Sequence, residues 1–377
     1  MKYMGSKREM LRNGLGCLLE RESETAERVV DLFAGSGSVA WFAANQLGKR
    51  VLAADLQAFA AVLSAAVVER TVALNPQTVI SEWLARVAKI RQNRKHWHTA
   101  ATLDDARVNT TTWVRRAREL CGMVSRQCRI TRAYGGHYFS PTQALTLDTM
   151  LACLPAESHA RNVCLAASIV SASECAASPG HTAQPFQPTR TAACFLREAW
   201  LRDPLLYAGR AVELLCPMRA KVRGKAVVAD ALAVASTLRE GDLVFVDPPY
   251  SDVQYSRFYH VLETVARGVC GPVAGTGRYP PAAERPVSPF SRRSESLRAL
   301  SILIDRLAKA KCTAIVTFPK TNCSNGLSGD MIVELAKKHF RIEQKIVCGR
   351  FSTLGGNNSV RKSRTRSREM ILLLCPR

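Results

Sequence analysis

Residues 28–55 read RVVDLFAGSGSVAWFAANQLGKRVLAAD, and this stretch decides the fold. RVVDLFA is a short apolar run that meets the glycine loop GSGS. A helical segment follows at Val39–Leu47, and RVLAAD at 50–55 is a second apolar run ending in an acid. Strand, glycine turn, helix, strand, acid is the opening of a parallel α/β sheet. Gly35, Gly37 and Ala40 satisfy G-x-G-x-x-A, and Asp55 lies 20 residues beyond Gly35. Small residues let the backbone approach a ligand, and an acid at the end of the second strand can accept both hydroxyls of a ribose. The pattern fits any cofactor that carries adenosine.

Outward from this unit the alternation continues briefly and then stops. Residues 56–70 read as a strongly apolar helix packed on the sheet. From about 71 to 222 helical segments, arginine clusters and loops follow without a strand–helix rhythm. Residues 84–132 hold twelve Lys/Arg and three Asp/Glu, and 171–192 read as a long loop rich in small residues, Pro and Gln. Alternation returns with KAVVAD at 225–230 and DLVFVD at 242–247, two strands that end in acids. Helices are expected at 256–267, 294–310 and 330–339, and further strands at 312–318, 341–349 and 368–375. The sheet domain is therefore expected to be split. Residues 1–70 plus 223–377 would form a discontinuous cofactor-binding catalytic domain, with 71–222 an inserted target-recognition region.

The bulk composition narrows the class. The chain has 377 residues, 47% of them hydrophobic and 22% charged, enough for a sizeable core. Its 53 Lys+Arg against 31 Asp+Glu leave a net charge of +22, which points to a polyanionic partner. No apolar run approaches the length of a membrane span, so nucleic acid is favoured over a membrane. The N-terminus, MKYMGSKREM, is charged from its second residue and does not read as a secretory signal. The 13 cysteines are scattered without C-x-x-C, so reduced thiols, a cytoplasmic setting and no metal site are expected.

Asp31 separates the cofactor classes. It lies inside the first strand, four residues before Gly35, as DLFAGSG. A carboxylate there suits an amino group or a sulfonium and would repel a pyrophosphate. DLFAGSGSVA resembles motif I of the S-adenosylmethionine (AdoMet)-dependent DNA methyltransferases. KYMGSK at 2–7 is similar to the N-terminal motif of the DNA adenine methylase (Dam-like) family, although Ser6 departs from the commoner Gly. VDPPY at 246–250 matches that family's D-P-P-Y tetrapeptide, in the motif order of its alpha type.

The resemblance implies a Rossmann-like class I methyltransferase sheet, mostly parallel with a C-terminal antiparallel hairpin, and a largely helical insertion. It implies a site-specific enzyme that methylates N6 of a flipped-out adenine in double-stranded DNA, using AdoMet, in the cytoplasm or at the nucleoid. A restriction or defence partner would fit such an enzyme. Asp247, Pro248, Pro249 and Tyr250 would be catalytic. The Asp247 side chain and the Pro248 carbonyl would accept the two N–H bonds of the amine, and Tyr250 would stack on the base. Tyr3, Gly5, Ser6, Lys7, Asp31, Phe33, Gly35, Gly37, Ser38, Asp55, Asp230 and Asp247 would surround the cofactor. Nucleic-acid candidates are Tyr255 and Arg257 after the tetrapeptide, His181 and Gln184 in the insertion, and Arg361, Lys362, Arg364 and Arg366 in a basic loop at 359–368. For Asp230 the alternative is a helix N-cap, and for Tyr255 and Arg257 the start of a helix. Methylation of cytosine N4 or of RNA, and an AdoMet-responsive DNA-binding protein without turnover, stay open as alternatives. An NAD oxidoreductase would leave the tetrapeptide and the charge unexplained.

Overall fold

The computed structural model describes residues 6–93, 95–103, 109–352 and 364–377. Seven strands form one sheet: β1 (Arg28–Asp31), β2 (Arg50–Asp55), β3 (Lys225–Val228), β4 (Asp242–Val246), β5 (Thr313–Pro319), β6 (Phe340–Ser352) and β7 (Arg364–Pro376). Their order is β3-β2-β1-β4-β5-β7-β6. The first five run parallel, while β7 is antiparallel to both of its neighbours. The expected α/β class and the C-terminal antiparallel pair are thus observed. β1 pairs in register with β2 on one side and β4 on the other, Asp31 facing Ala53 and Phe245. The chain fans outward in both directions from β1 and β4, and crevices for ligands form where strand order reverses in this way.

The chain divides into two compact units. The sheet unit takes the described part of Met4–Val72, Arg219–Tyr255 and Pro286–Arg377. β4 is buried along its whole length, as the period-free apolar run LVFV requires of a central parallel strand. One face of the sheet packs Val30, Val244 and Val316 against helix Ser296–Lys309 through Leu300, Leu303 and Leu307. The other packs Val29, Val51 and Phe245 against Leu15, Leu19 and Ala43.

The second unit, Ala73–Met218 with Ser256–Arg285, is helical. Trp113 and Trp200 meet edge to face at 5.0 Å in its core. Ser256–Arg285 departs from the expected boundaries by grouping here. Hydrogen bonds account for this: Tyr134 Oη lies 2.9 Å from Thr264 Oγ1, Tyr138 Oη lies 2.9 Å from the Gly277 carbonyl, and Thr182 N donates to the Phe258 carbonyl at 2.6 Å. Two further boundaries move. Helix Ser158–Cys175 runs five residues into the expected loop, because Ser171, Ala172, Ser173 and Cys175 are small enough to be buried together. β6 and β7 each extend to 13 residues, so Arg364–Arg368 is strand rather than loop.

Candidate functional site

The carboxyl ends of four neighbouring strands each carry an acid. Asp31 ends β1 and Asp55 ends β2, Asp230 lies two residues beyond β3, and Asp247 immediately follows β4. Asp31 is buried, its Oδ1 accepting from Phe33 N at 3.3 Å. Burial lifts its pKa to about 8, and the nearby Asp247 and Asp55 charges add to the lift. Asp55 bridges the glycine loop and the next helix, accepting from Gly35 N and Gln57 N, both at 2.9 Å. Burial raises Asp55 to about 6, against the lowering effect of these amide bonds. Asp230 is observed as an N-cap, its Oδ1 accepting from Leu232 N at 2.8 Å and Ala233 N at 3.2 Å. Next to Asp55, Gln57 Oε1 is a buried acceptor with no donor among the described residues.

The glycine loop is shaped as its sequence demands. Gly35 and Gly37 have φ of 50° and 74°, the left-handed region that glycine enters without steric cost. A Cβ on Gly37 would also meet the Trp41 indole nitrogen at 2.8 Å. Ser36 and Ser38 hydroxyls lie 2.8 Å apart, and Ser6 lies 3.3 Å from Ser38. The N-terminal motif therefore touches the glycine loop directly. Phe33 stands edge-on to Phe290 at 5.2 Å. Tyr3 and Gly5 lie outside the described residues.

Lys7 carries the N-terminal motif to the tetrapeptide. Its Nζ is 2.9 Å from Asp247 Oδ1 and 3.4 Å from Glu369 Oε2. Burial opposes its charge, but the Asp247 and Glu369 carboxylates outweigh that and hold the ammonium protonated above its usual range. Thr317 Oγ1, on β5, donates to the same Asp247 Oδ1 at 2.8 Å. Oδ1 is thus engaged twice, while no described residue donates to Oδ2. The prolines show the same asymmetry. The Pro249 carbonyl accepts from Asn325 Nδ2 at 2.8 Å, and the Pro248 carbonyl accepts from no described residue. Asn325 is fully buried and satisfied, with Nδ2 also on the Phe290 carbonyl at 3.0 Å and Oδ1 accepting from Leu327 N at 3.2 Å. Tyr250 packs on the sheet core and stands edge-on to Tyr255 at 6.4 Å. Burial raises its hydroxyl to about 12, moderated by Lys7.

Residues 3–132 match the family model described as D12 class N6 adenine-specific DNA methyltransferase. The family is that of the adenine-N6 DNA methyltransferases. No curated protein matches the chain. The family match takes in Lys7, Asp31, the glycine loop and Asp55 and stops well before residue 247, so the D-P-P-Y geometry stands as a separate observation.

The candidates for DNA contact fall in several places. Tyr255 belongs with the tetrapeptide in the sheet unit. Arg257 lies in the helical unit, its guanidinium 5.0 Å from the Tyr279 ring. His181 packs on Phe258 at 5.3 Å in the same unit, and Gln184 is exposed. Tyr259, four residues after Tyr255, is wholly buried and belongs to the core. Arg361 and Lys362 lie outside the described residues. Arg364 and Arg366 are strand residues paired with Ser352 and Arg350, not members of a loop. The sequence reading missed Gln57, Thr317, Asn325 and Glu369.

Proposed function

We propose that the methyltransferase uses AdoMet to methylate N6 of an adenine rotated out of duplex DNA at a specific site. One observation carries the reading: Asp247 Oδ1 and the Pro249 carbonyl are engaged, whereas Asp247 Oδ2 and the Pro248 carbonyl have no donor among the described residues. An exocyclic amine presents two N–H bonds and has a lone pair delocalised into its ring. Two acceptors aimed at those bonds favour the pyramidal amine, whose lone pair is free to attack. This is preorganised electrostatic stabilisation. Lys7 and Thr317 fix the carboxylate, and Asn325 fixes the proline backbone, so little reorganisation is left for the reaction itself. Tyr250 is the aromatic surface on which the extruded base would stack.

The residues around β1 and β2 fit AdoMet in their chemistry. When bound, AdoMet supplies an electrophilic methyl group on a sulfonium. Asp31 would face its cationic part, Asp55 its ribose, and the unpartnered Gln57 Oε1 an N–H or O–H donor. Gly35 and Gly37 keep the loop free of side chains on the approach, with Ser6, Lys7, Phe33, Ser38 and Asp230 around it. A restriction–modification or defence setting belongs to the same proposal, as does action on DNA in the cytoplasm. Methylation confined to one site is what a companion nuclease would read.

The test is transfer of labelled methyl from AdoMet to mixed-sequence duplex DNA, followed by digestion to nucleosides. Label should appear in N6-methyldeoxyadenosine. Asp247→Ala should reduce transfer by about a hundred- to a thousandfold, the scale set by removing one preorganised partner of developing charge, with AdoMet affinity largely kept. Label only in cytosine derivatives or only in RNA, or an active Asp247→Ala, would sink the reading.

A further inference from the structure

The helical unit holds cations that its own carboxylates do not neutralise. Arg118, on helix Thr110–Met123, donates from Nε to the Gly136 carbonyl at 3.0 Å and from Nη2 to Gln187 Oε1 at 3.5 Å. Arg278 donates from Nε to the Ala133 carbonyl at 2.9 Å and from Nη2 to the Arg132 carbonyl at 3.3 Å. Both guanidiniums rest on one five-residue stretch, 132–136, and His137 follows it. Neither arginine forms an ion pair among the described residues, and the Nη1 group of each donates to none of them. Burial lowers the proton affinity of Arg118, and the neighbouring Arg278 charge lowers it further. Burial and the same two charges pull His137 down to about 3, so it is neutral at physiological pH. Two half-buried like charges without a counter-charge are unfavourable unless something anionic joins them.

The backbone adds an independent sign. Arg278 sits at φ 53°, in a turn closed by the 2.9 Å pair of bonds between Ala274 and Tyr279. Gly275 fills one left-handed position of this turn with φ 71°, but the other is given to an arginine. Lys311 is the other non-glycine residue at positive φ among those described, and it follows the end of helix Ser296–Lys309, where a left-handed residue is ordinary. Arg278 has no helix end to explain it. A residue held in a strained conformation is a signal of function.

We propose that Arg118 and Arg278, with His137 beside them, form a clamp for a backbone phosphate of DNA. Planar guanidiniums bond phosphate oxygens bidentately, and the free Nη1 groups leave donors for this. Such a contact positions the duplex and carries no sequence information. The assignment rests on the proposed action on duplex DNA.

Arg278→Gly is the first variant: glycine suits the observed φ, while the guanidinium is lost together with its bonds to the Ala133 and Arg132 carbonyls. Arg118→Gln is the second variant. Binding to duplexes with and without the methylation site is measured by fluorescence anisotropy across a salt series, with thermal unfolding and AdoMet affinity alongside. Each variant should reduce the slope of log K against log salt by about 0.9 and weaken both duplexes equally. Both variants should still unfold cooperatively, and AdoMet affinity should not change. An unchanged slope, a loss confined to one duplex, or a lowered Arg278→Gly midpoint with wild-type DNA binding would overturn the clamp. If the wild-type protein does not bind duplex DNA, the broader DNA reading falls; if it binds and both variants match it, only the clamp falls.

Discussion

At the residue scale, the decisive feature is which oxygens near the tetrapeptide are engaged. Thr317→Val removes the donor to Asp247 Oδ1 at nearly constant shape. A hydrogen bond to a charged group is worth about 1.5–3 kcal/mol, so kcat should fall about tenfold or more, with Thr317→Ser restoring most of it. Asn325→Ala leaves the Pro249 and Phe290 carbonyls unpaired, and stability should drop by about 1–3 kcal/mol, read from the denaturant midpoint. Its kcat should fall while AdoMet affinity stays near wild type. An Asn325→Ala enzyme with full activity would show that the prolines hold their own carbonyl without help. Asp247 and Lys7 were legible in the sequence because each sits in a short contiguous motif. Thr317 and Asn325 were not, being 70 and 76 residues from the groups they hold, without a local spacing to betray them. Glu369 was hidden similarly, inside a strand whose other residues read as plain core.

At the element scale, four strand ends gather acids at one edge of the sheet, and this has a pH signature. Asp31 and Asp55 bind protons more tightly in the folded chain than at their ordinary value of 3.8. Their contribution to stability is therefore full below that value. It is lost as pH rises through about 6 for Asp55 and about 8 for Asp31. A cationic ligand beside Asp31 would reverse the preference and drive a proton off. AdoMet affinity should thus tighten from pH 6.5 to 8.5, with proton release visible by calorimetry in buffers of different ionisation enthalpy. Asp31→Asn should remove that release; its persistence would place the coupled proton elsewhere. All seven strands were readable from the sequence, and the buried parallel ones announce themselves as apolar runs stopped by an acid or a loop. The segment after the tetrapeptide was not, since SRFYHVLE carries helix spacing on either assignment. Tertiary bonds, those from Tyr134, Tyr138 and Thr182 among them, tie 256–285 to the helical unit.

At the scale of the whole molecule, the net charge of +22 and two compact units set the terms of DNA binding. Among the described residues no helix is long and apolar enough to cross a membrane. A protein that neutralises six or more phosphates should lose about a thousandfold in affinity between 50 and 200 mM salt. Filter binding on a duplex without the target site would show it, and a flat response would mean that the charge serves something else. The order of synthesis also matters for this chain. Lys7 and Glu369 are 362 positions apart yet share one cluster with Asp247, and β7 lies between β5 and β6 in the sheet. Until Arg364–Pro376 has been made, β5 lacks its outer neighbour, β6 has nothing to pair with, and Lys7 has only one of its two carboxylates. A chain in which β7 has yet to be made thus has the tetrapeptide and Lys7 in hand but neither the second carboxylate of that lysine nor the strand that joins the two edges of the sheet.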